Sequence, residues 1–151
     1  MISLHTTIII PCFNEEKVIA ETYRRVKAVM KEFKKYEILF IDDGSRDQTP
    51  TILRNIARAD KSVRVLMFSR NFGHQPAVTA GIRHAAGDVA IIIDADLQDP
   101  PELFPEMIRI HQQEGANVVY GHRTKRKGES FFKKITAKLF YRSLNSLSEV
   151  P

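Results

Sequence analysis

Three carboxylates fall within six positions at Asp94-Ala95-Asp96-Leu97-Gln98-Asp99, directly after the apolar run at 89–93. That run is short, β-branched and closed by turn residues, so it reads as a buried strand feeding a loop. In an extended chain residues i and i+2 project to the same side, so Asp94 and Asp96 can converge on one point, with Gln98 a further step of two along. Two like charges held together call for a cation. An all-oxygen set without His or Cys suits Mg2+ or Mn2+ rather than zinc. The competing reading of the same triplet is a capped strand end with a solvated acidic turn.

Three other apolar runs end in polar, turn-forming residues. The run at 7–10 ends in Pro11-Cys12-Phe13-Asn14-Glu15, the run at 36–41 in Asp42-Asp43-Gly44-Ser45, and the run at 63–68 in Ser69-Arg70-Asn71-Phe72-Gly73-His74. A nucleotide with a metal-bound diphosphate would use these groups well. Phe13 can face a base, Asn14 and Glu15 can bond its edge, and Asp43, next to Asp42, can accept from a base or a ribose hydroxyl. Simpler readings stand beside these: Asn14 caps a helix, with Glu15 and Glu16 at its positive end, and 42–44 is a turn. The chain has no G-x-G-x-x-G and no G-x-x-x-x-G-K-[ST], which disfavours Rossmann dehydrogenases and P-loop ATPases.

The elements that must position these groups alternate strand with helix. Helices are expected at about 15–33, with apolar Val18, Ile19, Tyr23, Val26, Val29, Met30 and Phe33 near helical spacing; at 50–59, capped by Asp47; at 75–86, ending at Gly87; and from 101 to 114. A fifth strand is expected at 118–120, closed by Gly121, then a charged loop at 123–128 and a last helix at 131–147. Apolar strands alternating with helices call for an α/β fold, a mostly parallel central sheet with helices on both faces. Ligands of such sheets bind outside the carboxyl ends of the strands, where all four polar ends lie.

The 151 residues, 43% hydrophobic and 27% charged, suit one globular domain. The single cysteine, Cys12, excludes an internal disulfide and fits a reducing compartment. No run reaches the roughly 18 apolar residues of a membrane span, and there is no signal-peptide pattern at the N-terminus. Residues 122–142 carry eight Lys/Arg against Glu129 alone, a local net charge of +7, whereas residues 1–121 hold 15 Lys/Arg and 16 Asp/Glu. The charge divides the chain into a near-neutral α/β core at 1–121 and a basic region at 122–151. Phe131, Ile135 and Leu139 form an apolar stripe and Lys134, Lys138 and Arg142 a basic one, as in a helix lying in a membrane interface or one packed on its own core. No stacking pattern or motif for nucleic acid accompanies the charge.

The motifs at 8–16, 40–47, 70–74 and 94–102, in this order and spacing, resemble family-2 glycosyltransferases of the Rossmann-like GT-A fold. Among them the chain looks most like the bacterial polyprenyl-phosphate sugar transferases, relatives of dolichyl-phosphate mannose synthase. The resemblance implies that Pro11, Phe13, Glu15 and Asp43 contact the nucleoside, and that Asp94, Asp96 and Gln98 hold Mg2+ or Mn2+ and the diphosphate. It further implies that Arg123 binds the diphosphate, and that Lys133, Lys134 and Thr136 receive the phosphate of a polyprenyl-phosphate acceptor such as undecaprenyl phosphate. It also implies that 1–121 is a nucleotide-sugar-binding core and 122–151 the acceptor side. The donor it implies is a UDP-sugar, and the place of action the cytoplasmic face of a membrane; a homo-oligomer is left open. The family carries a further acidic motif of the Asp-x-Gly-Asp-Phe-Arg type that is not found before Pro151, so a longer protein is expected. Two alternatives remain: a non-catalytic nucleotide-sugar-binding fragment, and a Mg2+-dependent phosphatase or phosphotransferase with Asp94 as nucleophile.

Overall fold

Strand β1 (Thr6–Cys12) is central, and all seven of its residues are buried, as a continuous apolar run sandwiched on both faces requires. A computed structural model, which describes residues 2–122, sets it between β2 (Tyr36–Asp42) and β4 (Val89–Ile92), with β3 (Val63–Met67) outside β2. The sheet order is β3-β2-β1-β4 and every pairing is parallel. In register, Cys12 lies beside Asp42 and Asp42 beside Met67, while Ile9 lies beside Ile92. The four carboxyl ends therefore share one edge.

Helices α1 (Ile19–Val29), α2 (Thr49–Ala59) and α4 (Phe104–Glu114) cover one face. Ile19, Val26, Leu53, Phe104 and Ile108 pack there with Ile8, Ile10, Phe40 and Ile91. Helix α3 (His74–His84) lies on the opposite face, where Ala77 meets Ile9, Leu39 and Ile41. Its approach is close because Gly81 has no side chain: a Cβ there would lie 2.3 Å from Cγ2 of Ile9. The expected α/β architecture with helices on both faces is thus the one observed.

Two expectations need correction. The first helix starts at Ile19 rather than near Glu15. Asn14 has φ +56°, and the amides of Asn14, Glu15 and Glu16 donate instead to Ser45 Oγ, Thr49 Oγ1 and Asp47 Oδ2 at 2.8, 2.8 and 3.1 Å. Asn14 is therefore not the cap; that place falls to Val18, which makes no side-chain cap bond. The fifth strand is absent among the described residues: 118–120 pairs with nothing, and Val118 and Tyr120 are 78% and 80% exposed. A β-branched stretch without a ladder partner has nothing to hold it as a strand. The loop and helix expected beyond residue 122 lie outside the described residues.

At the opposite edge of the sheet, a buried network ties the elements together. The carboxylate of Glu37 accepts from Thr7 Oγ1 at 2.8 Å, from the amide of Ala86 at 2.7 Å and from Arg64 at 2.8 Å. Burial alone would push this carboxyl up; the bonds from Ala86, Thr7 and Arg64 outweigh it and hold the carboxyl below its ordinary value. A carboxyl lowered by folding contributes stability that is present above its unfolded pKa and lost as the pH falls through the folded value. Urea unfolding at a series of pH values should therefore show stability falling below about pH 4, with a shallower fall in Glu37→Gln. An equal slope in the variant would remove Glu37 from the account.

Candidate active site

Two loops interlock at the carboxyl edge. Besides the three amide bonds that hold 14–16 to 45–49, Asn14 Oδ1 accepts from the amide of Arg46 at 2.8 Å, and Glu16 Oε2 from the amide of Gln48 at 2.9 Å. The side-chain oxygen of Asn14 is thus spent on the neighbouring loop. Phe13 stands out from this frame, 40% exposed. Pro11 and Cys12 belong to β1 itself and are buried. The Cys12 thiol donates to the carbonyl of Ile41 at 3.5 Å; burial first, and then the charges of Asp42, Glu15, Asp47 and Asp43, push its pKa far up. A thiolate-dependent reagent should leave Cys12 unmodified in the folded chain and label it fully after denaturation. Rapid native labelling would contradict this burial.

Asp42 and Asp43 are both buried, and their partners differ. Asp42 Oδ1 accepts a long 3.4 Å bond from the amide of Ser45. Asp43 accepts from the amides of Phe72 and Gly73 at 2.7 and 2.9 Å, one bond to each oxygen. It therefore clamps the end of β2 to the loop between β3 and α3. Gly44, at φ +71°, completes the clamp, since a Cβ there would lie 2.4 Å from the backbone carbonyl carbon of Arg70. Within this loop, the Arg70 guanidinium lies 4.2 Å from the ring centre of Phe72, and Phe68 meets Phe72 edge to face.

The acids after β4 follow the expected alternation into a turn. Ile93 and Ala95 are buried, whereas Asp94 and Asp96 face out on one side. Thr22 Oγ1 in α1 donates to the carbonyl of Ala95 at 2.7 Å and so pins the middle of the triplet. Asp96 Oδ1 accepts from the amide of Gln98 at 3.0 Å, and Leu97 takes φ +63°. His74, the first residue of α3, brings its Nε2 to 3.9 Å from Asp94 Oδ1. Glu15 reports on the same region: burial first, then Asp96, Asp47 and Asp94, raise its carboxyl above the ordinary value. The charges of Asp96, Asp47 and Asp94 thus bear on Glu15 across the edge, an electrostatic situation that a cation relieves.

Among the described residues no three His, Cys, Asp or Glu side chains close into a metal cage. Ions such as Mg2+ and Mn2+ are commonly held by one or two carboxylates, with water and phosphate oxygens completing the shell. Asp94 and Asp96 are the residues that would hold one. Thr22, Ser45 and Thr49 are positioning residues that the strand-end reading passed over. Thr22 carried a signal, a polar side chain on the apolar stripe of Ile19 and Val26; Ser45 was visible only as part of a strand end, and Thr49, the first residue of α2, gave no sign of its bond to Glu15. Arg123, Lys133, Lys134 and Thr136 lie outside the described residues.

A parallel sheet covered by helices on both faces, with acidic residues gathered at its carboxyl edge, is the architecture of the GT-A class of α/β glycosyltransferase. The structure is similar to that of the mannosyltransferase PcManGT from Pyrobaculum calidifontis in complex with GDP-Man and Mn2+, with a TM-score of 0.58 and 27% identity over 65% of this chain and 29% of that one. The family described as Glycosyl transferase family 2 matches residues 7–149, and the chain belongs to that family. It is 54% identical over 145 residues to the uncharacterized glycosyltransferase YkcC of Bacillus subtilis (strain 168), covering 95% of this chain and 45% of the relative. It is 43% identical over 144 residues to the SfII prophage-derived bactoprenol glucosyl transferase of Shigella flexneri, covering 94% of this chain and 46% of the relative. The chain thus spans a little under half the length of these two relatives.

Proposed function

We propose that the chain is the donor-side part of a divalent-metal-dependent, inverting glycosyltransferase that moves a sugar from a UDP-sugar to a polyprenyl phosphate. The observation that carries the reading is the outward-facing pair Asp94 and Asp96 on the edge where four strand ends meet. The likeness to a bactoprenol glucosyl transferase supports the acceptor class. The likeness to a mannosyltransferase structure with Mn2+ supports a divalent ion.

On this reading Pro11, Phe13, Asn14, Glu15, Asp42 and Asp43 shape the nucleoside end of the site, Asp43 chiefly by fixing the loop that faces it. Asp94, Asp96 and Gln98 serve the diphosphate end. A bound Mg2+ or Mn2+ would neutralise charge developing on the departing nucleoside diphosphate. Arg123 would share that task, and Lys133, Lys134 and Thr136 would receive the acceptor phosphate. A phosphate monoester with a second pKa of about 6 is largely ionised at neutral pH, so it attacks without a strong base and positioning supplies much of the rate. Residues 1–121 form the donor core and 122–151 the acceptor side, with the basic segment at the cytoplasmic face of a membrane. No helix among the described residues is long and apolar enough to cross one.

The test is transfer of label from UDP-glucose or UDP-N-acetylglucosamine to undecaprenyl phosphate, run with this chain and with a form extended to the length of its relatives. Labelled lipid from either supports the reading; transfer by the longer form alone makes residues 1–151 the donor-binding part. Absence of labelled lipid from both, with a folded longer form and either donor, would overturn the proposed acceptor.

A further inference from the structure

A cavity of about 280 Å3 lies between the carboxyl ends of β2 and β3 and the first turns of α2. Arg46, Arg54 and Arg70 line it, with Ser45, Ser69 and Asn71 among its other polar residues. None of the acids Glu15, Asp94 and Asp96 reaches it. Among the described residues, Arg24, Arg25, Arg64 and Arg109 pair with carboxylates, whereas these three arginines do not. Stacking on Phe72 orients the Arg70 guanidinium without neutralising it. The one acid in the lining is Asp42, 2% exposed and engaged with the Ser45 amide. Three cations against one carboxylate leave a surplus of two positive charges.

Pro50, the second residue of the 11-residue α2, and Arg54 one turn later line the opening from the same side of the helix, while the carboxylates of Glu16 and Asp47 accept from the amides of Gln48 and Thr49 at its start. The surplus of positive charge at the opening therefore comes from the three arginines. The volume equals roughly nine waters at about 30 Å3 each, and it falls just below the range of about 300–1,000 Å3 typical of pockets for drug-sized ligands. An anion of small size and twofold charge matches both quantities. Planar guanidinium forks with hydroxyl and amide donors between them are the groups that recognise phosphate oxygens.

We propose that this cavity is a second anion site, separate from the Asp94–Asp96 edge, and that it takes a phosphate group, either free as inorganic phosphate or a phosphomonoester, or as the head group of a lipid. The assignment does not rest on the transferase reading. The Asp43 clamp sets it beside the first site, because Arg70 and Asn71 belong to the loop that Asp43 holds at Phe72 and Gly73.

The test is a titration of the isotopically labelled chain with inorganic phosphate at constant ionic strength, read by amide and guanidinium NMR signals. Saturable shifts are expected at Ser45, Arg46, Ser69, Asn71 and the Arg54 and Arg70 side chains. Arg54→Gln and Arg70→Gln should each weaken binding about tenfold, the factor one charge-assisted hydrogen bond is worth, with signals of the sheet core unmoved. Asp96→Asn should bind phosphate as the native chain does. A short-chain phosphatidic acid binding the same residues more tightly than inorganic phosphate identifies a lipid source, and equal affinity a free one. The proposal fails if no saturable shift appears, if both arginine variants bind unchanged, or if UDP with Mg2+ displaces phosphate from these residues in direct competition.

Discussion

UDP with Mn2+ is expected to raise the Tm of the native chain, and Asp96→Asn to abolish that rise and, in a form extended to the length of the relatives, to lower sugar transfer by about 10²–10³-fold. A ligand present at 100 times its Kd stabilises by about 2.7 kcal/mol. For a domain of this size that is a shift of roughly 5–10 °C, well above the resolution of a thermal scan. The sign without ligand is equally informative. Asp96 is exposed and raises the carboxyl of Glu15 by repulsion, so removing its charge should leave the ligand-free chain at least as stable as before. Asp96 also accepts from the amide of Gln98. If that turn were its whole purpose, the variant would lose ligand-free stability and keep its response to UDP; that pair of outcomes would refute the assignment.

Gly44→Ala should be the most damaging small substitution among the described residues at this edge. The residue has φ +71°, which costs an L side chain about 1–2 kcal/mol. The new methyl would also lie 2.4 Å from the carbonyl carbon of Arg70 and 2.7 Å from both its Cα and the nitrogen of Asn71. These are backbone atoms and cannot swing aside. The loop must lift, and with it go the bonds from Phe72 and Gly73 to a buried carboxylate, each worth about 1.5–3 kcal/mol. A loss of more than about 3 kcal/mol follows, read as a fall in Tm of roughly 6–12 °C, together with the UDP response. Gly115→Ala provides the contrast: φ is +63° but a Cβ at that position would have no atom within 4 Å, so only the cost of about 1–2 kcal/mol for the backbone conformation remains. Equal losses in the two variants would show that the clamp contributes nothing.

These two cases also mark what could be read without coordinates. The strands were legible because each is an apolar run closed by polar residues, and their alternation with helices sufficed for the parallel sheet covered on both faces. The outward pair Asp94 and Asp96 followed from period-two alternation, which holds through Ala95 into the turn. What escaped depends on partners distant in sequence. Nothing local shows that the amides of Asn14, Glu15 and Glu16 are claimed by side chains about thirty residues away, which delays α1 to Ile19. Nor does the doublet Asp42-Asp43 reveal that one acid faces a cavity and the other spends both oxygens on a loop. The stretch at 118–120 has the composition of a strand, yet composition supplies no ladder partner.

The contact of Gly81 with Ile9 has a mechanical side. Helix α3 rests at that point on the side chain of Ile9, with none of its own between, and its first residue, His74, lies seven positions away. At 1.5 Å per residue the distance is about 10 Å, so a tilt of roughly 6° about the contact displaces the tip by about 1 Å, a misplacement large enough to matter to a reacting centre. Helix α3 is in effect a stiff lever, with its fulcrum in the middle of β1 and its working end beside Asp94. Ile9, wholly buried and remote from any ligand, sets the height of that fulcrum.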